Sequence, residues 1–142
     1  MRRIAFYGTV LALIHLAIVL LHGRAHAELH IDLSSLQTIF VVGVIVIGPR
    51  LAMLLLWTRY QRAGLWLLTL SMTGACLFGL YNHFVALSPD HVTQVPHGSW
   101  GEVFRTTAVL LVIVEGVSAI AGLYWLRVQP EPFHTRRLAP TR

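Results

Sequence analysis

The chain has 142 residues, room for one domain at most; 56% of them are apolar and only 12% charged, with a mean hydropathy of +0.67. That balance excludes a water-soluble globule and belongs in a bilayer. All 11 basic residues are arginine against 6 acids, a net charge of +5, yet the arginines are scattered at the ends of apolar segments, so no nucleic-acid-binding face forms.

A membrane-crossing helix needs about 20 mostly apolar residues, and four segments read as such: Ile4 to Leu21, Leu36 to Trp57, Leu65 to Leu87 and Val103 to Leu126. The expectation is an all-α, integral membrane four-helix bundle with short loops, occupying residues 1–127. The first segment follows Met1-Arg2-Arg3 and precedes Ala25-His26-Ala27, the layout of a secretory signal with a cleavage site before Glu28. Its apolar run is longer than the usual signal core, which favours retention as a span. A polar stretch from His22 to Ser35 follows, then the second segment with Gly48-Pro49-Arg50 inside it, where the proline kinks the helix. A basic turn, Thr58 to Gly64, leads to the third segment. The loop from Ser88 to Glu102 carries Pro89 and Pro96, and after the fourth segment a Pro- and Arg-rich tail, 128–142, reads as disordered and cytoplasmic.

Arginine asymmetry sets the direction. Arg2, Arg3, Arg59, Arg62, Arg127, Arg136, Arg137 and Arg142 fall on one side of an alternating chain, leaving Arg24 and Arg105 on the other. Both termini are therefore expected in the cytoplasm, in a membrane of the bacterial inner type.

Eight histidines is a high number for this length, and seven belong to the outer half. His22, His26 and His30 follow the first span, His91 and His97 lie in the second outer loop, and His15 and His83 sit inside the outer ends of spans one and three. Continued as one helix, the first span would carry His15, His22, His26 and His30 as a stripe within about an 80° arc. Imidazoles four residues apart on a helix reach one point, and neutral imidazole suits copper or zinc. Glu28, Asp32, Asp90 and Glu102 add carboxylates around them. His15 and His83 lie at similar depth, about 9 and 6 Å in, the placement that axial ligands of a b-type haem, a quinone pocket or a proton relay would need.

Glu115 lies in the middle of the fourth span, where a carboxylate must face protein. Arg50 is at a comparable depth on the second span, so an Arg50–Glu115 ion pair is expected. Small residues on span three (Gly74, Ala75, Gly79) and span four (Gly116, Ser118, Ala119, Gly122) provide surfaces for close helix packing. Single Cys76 excludes an internal disulfide and any CxxC motif. There is no phosphate-binding loop, no HExxH, no nucleophile elbow and no CxxCH haem-attachment site, which argues against a hydrolase or a nucleotide-driven machine. The function expected is binding or passage of a transition metal, with a non-catalytic accessory subunit of a larger complex, a homo-oligomer, or a small haem or quinone protein as alternatives. The lipid bilayer is the expected partner.

Overall fold

The computed structural model describes residues 2–128; the expected tail lies outside them apart from Val128. Among the described residues the regular structure is all helix, with no strand. The elements are α1 (Arg2–Glu28), α2 (Ser35–Phe40), a π-helical segment π1 (Val41–Ile47), α3 (Gly48–Leu56), α4 (Gln61–Leu80), a second π-helical segment π2 (Tyr81–Val85) and α5 (Ser99–Val128). They join into four long rods, Arg2–Glu28, Ser35–Leu56, Gln61–Val85 and Ser99–Val128, each long and apolar enough to cross a membrane.

Local chemistry sets the breaks. α1 runs on to Glu28, well past Leu21, and ends in a Schellman arrangement: the Ile31 amide donates to the His26 carbonyl and the His30 amide to that of Ala27. His30 occupies the left-handed position this motif needs, with φ of 52°. It thereby leaves the helix, so the expected stripe stops at His26. The second rod begins on a capping box in which Ser34 and Gln37 satisfy each other's amides. Pro49 follows directly on π1 within a continuous rod, so its missing N–H interrupts the backbone ladder where π1 passes into α3. The switch from π1 to α3 takes up the distortion expected there as a kink.

α1 packs on α5, α5 on α4, and α4 on α3, while α1 meets the second rod chiefly through α3. Ala5, Ala12, Ala52, Leu56, Leu65, Leu68, Met72 and Leu126 form the core of that end. Backbones come close there: a Cβ on Gly64 would lie 2.9 Å from the Leu56 nitrogen. Gly122 faces Thr69 across the α4–α5 seam, whereas Gly74 packs toward Phe40 and Val44 of the second rod and Gly116 faces open space. At the other end α1 and the 35–47 stretch scarcely touch. The second rod is tied instead to the third, by Gln37 Nε2 donating to Asn82 Oδ1 at 3.0 Å. A cavity of about 630 Å³ fills the gap.

Candidate metal centre

Three imidazoles converge at the head of this cavity. His22 and His26 are one turn apart on α1, and His83 reaches them from π2. One ring nitrogen from each lies within 4.8 Å of one from each of the others. Even at that limit a central point lies about 2.8 Å from all three nitrogens, against the roughly 2.0–2.1 Å of a zinc–imidazole bond. Shifts of less than 1 Å, about 0.7 Å per ring, would therefore close the set on an ion. Phe104 of α5, wholly buried, forms the floor, with its ring centroid 4.7, 5.1 and 5.3 Å from those of His22, His26 and His83.

Hydrogen bonds engage Nδ1 of each ring. His26 Nδ1 lies 3.3 Å from the Ile31 carbonyl oxygen and His83 Nδ1 lies 3.0 Å from that of Asp90. A carbonyl only accepts, so both nitrogens carry the proton. His22 Nδ1 is 2.8 Å from Thr107 Oγ1. That hydroxyl's own hydrogen is directed at main-chain carbonyls, Val103 at 2.6 Å and Phe104 at 3.1 Å. It therefore accepts from His22. Each of the three rings thus holds an oxygen on Nδ1, the arrangement by which oxygen partners orient metal-binding histidines. His22 is only 7% exposed, and its Nε2 is buried with no hydrogen-bond partner.

The 86–98 loop brings in a carboxylate. The Val92 amide donates to the His83 carbonyl and the Asp90 amide to Ser88 Oγ, folding the loop back onto π2. Asp90 Oδ1 then lies 3.2 Å from His26 Nε2 and 3.3 Å from His83 Nδ1. Both carboxylate oxygens are buried without a hydrogen-bond partner. Burial alone would push the Asp90 carboxyl up, but His83 beside it, reinforced by His26 and His22, carries it below the usual aspartate value.

The other expected site residues are elsewhere. His30 is exposed on the turn after α1. His91 is buried in its own loop, its Nδ1 accepting from the Thr93 amide. His97 borders a separate surface depression with Phe84 and Arg105. Glu28 pairs with Arg24 and Glu102 with Arg105. Asp32 is exposed on the cavity rim. Neither does the expected Arg50–Glu115 pair form. The Arg50 guanidinium donates to the Val46 carbonyl of its own rod, following the lean of helical side chains toward the preceding turn. Glu115 is taken by His15, with Nε2 3.0 Å from Oε1 and both residues 2% exposed. The reason is direct packing of α1 on α5. His15 and His83 consequently have different partners, Glu115 for the first and the Asp90 carbonyl for the second. Thr107 and Phe104 carried no signal in the sequence, each being an ordinary residue of an apolar helix.

No protein-family model, curated protein or solved structure matches this chain.

Proposed function

We propose that the protein is a four-span membrane protein that binds a transition metal, copper or zinc, through His22, His26 and His83, with Asp90 as the adjacent negative charge. The convergence of three imidazoles, one ring nitrogen from each within 4.8 Å of those of the others, and each with an oxygen on Nδ1, carries this reading. With the arginine-rich ends in the cytoplasm, the centre opens toward the exterior of an inner-type membrane and the surrounding lipid is its partner. The cavity runs from the imidazoles to Glu115, and the packed Leu56, Leu65, Leu68 and Met72 core lies beyond, so the reading is of a binding site with a blind floor and not a conduit. Elemental analysis of the chain purified in detergent tests it. About one ion per chain is expected in the wild type and in His30→Ala, and little in the His22→Ala/His26→Ala/His83→Ala chain. Equal metal in all three would return the protein to an accessory subunit with incidental histidines, associated with a second copy or a larger complex.

A further inference from the structure

Below the imidazoles the cavity has a second polar station that an ion leaves unused. Glu115 Oε1 is engaged by His15, but Oε2 is buried with no hydrogen-bond partner, and the residue is 2% exposed. Helical side chains lean toward their own N-terminus. On α5 that direction is toward the imidazoles, so the carboxylate reaches up into the cavity it lines. Gly79 borders both groups: a Cβ there would be in van der Waals contact, at 3.9 Å, with Glu115 Oε2 and with His83 Cδ2.

Apart from Thr38 and the aspartates Asp32 and Asp90, the remaining walls are apolar, with Val19 and Leu20 on α1, Val41 and Ile45 on π1, and Phe78 on α4. Leu20 and Gly23 are exposed at its edge. The gap between α1 and the second rod thus opens on the face that a four-span chain turns to lipid. A volume of about 630 Å³ far exceeds an ion and falls among pockets for organic ligands, about 300–1,000 Å³.

We propose that this cavity binds a lipid-dissolved long-chain alcohol, its hydroxyl on Glu115 Oε2 and its aliphatic body between α1 and the second rod. A hydroxyl matches the buried carboxyl in either protonation state, donating to the carboxylate or accepting from the acid. An anionic head would meet repulsion from Glu115. The inference rests on the membrane reading above but not on a bound ion.

The test uses the full chain in lipid nanodiscs and a twelve-carbon alcohol bearing a mid-chain diazirine, compared with its methyl ether. Photolabelling is mapped by peptide mass spectrometry. The alcohol should label residues 19–27 and 41–46 saturably. The ether, lacking the donor, should need about tenfold or more higher concentration, the fold-change expected for a lost hydrogen bond to a charged group. Gly23→Phe should block labelling without disturbing the fold, because nothing lies within 4 Å of a Cβ at that position. Equal labelling by alcohol and ether, or labelling undiminished in Gly23→Phe, overturns the proposal, as does failure of the chain to enter the nanodisc. Retained labelling in the His22→Ala/His26→Ala/His83→Ala chain supports it and separates it from the ion reading.

Discussion

Thr107→Val probes the metal centre without touching a proposed ligand. Valine fills nearly the same volume, so the packing beside Phe104 is kept and only the hydroxyl is lost. Thr107 Oγ1 accepts the His22 Nδ1 proton at 2.8 Å, and the pair is buried. Removing the acceptor leaves a buried N–H unsatisfied, which costs about 1–3 kcal/mol, and frees the ring to adopt the other tautomer or rotate. Loss of such an oxygen partner lowers metal affinity about 10- to 100-fold, the equivalent of about 1.4–2.8 kcal/mol. Competition against a chromophoric zinc chelator at fixed pH reads this directly. Thr107→Ser keeps the oxygen and should bind within about threefold of wild type, since the remaining loss is one methyl group. In a double-mutant cycle, Thr107→Val should add little in the His22→Ala background, because its effect passes through that ring. The reasoning fails if valine and serine weaken zinc equally, or if valine costs as much in the absence of the His22 ring as in its presence.

Three further outcomes follow from other contacts. His30 holds φ of 52°, a conformation free for glycine and costing other residues about 1–2 kcal/mol; His30→Gly should raise stability in detergent titration by about 1 kcal/mol and leave metal content unchanged. Cycles on Glu115→Gln should show coupling of about 0.5–3 kcal/mol with His15→Gln and less than about 0.5 kcal/mol with Arg50→Met, the reverse of what an Arg50–Glu115 ion pair would give. For Asp90 the folded carboxyl lies below its ordinary 3.8, so its contribution to stability is complete above that value and is lost as pH falls through the lower folded one. The stability gap between the metal-free wild type and Asp90→Asn, measured across an acid titration, should therefore be flat at higher pH and narrow below 3.8.

The four rods were legible because apolar runs of this length have few other uses, and the His22–His26 spacing because one helical turn puts both rings on one face. Partners between rods were not legible. Depth along a span can be counted, but rotation about its axis cannot, and rotation decides whether Glu115 meets Arg50 or His15. π2 adds a further reason: its wider turn re-aims His83 relative to an α-helical register, so residue counting alone does not bring that ring to His22. His30 shows a third limit, since a periodic stripe continues on paper past the point where a helix cap stops it.

The two ends of the molecule divide the work, and Gly64→Ala tests the division. Rods in lipid gain no hydrophobic drive to associate and depend on close contact. At Gly64 that contact is backbone on backbone: an added Cβ would meet the Leu56 nitrogen at 2.9 Å and the Ala52 carbonyl oxygen at 3.0 Å. Neither atom can swing aside like a side-chain end, so α3 and α4 must separate by a few tenths of an ångström, an overpacking cost of about 1–3 kcal/mol. The two π-helical segments, with their poorer hydrogen-bond geometry, are both at the opposite end, where they line the cavity and carry His83. Gly64 is roughly 28 Å along the third rod from His83 at 1.5 Å per residue, beyond the range over which substitutions couple. Gly64→Ala should therefore lower unfolding stability while zinc affinity stays within about twofold, whereas Thr107→Val should weaken zinc about 10- to 100-fold. A Gly64→Ala chain that remains folded but loses zinc tenfold would mean that the tight end holds the metal centre in shape, and the two ends could no longer be treated as independent.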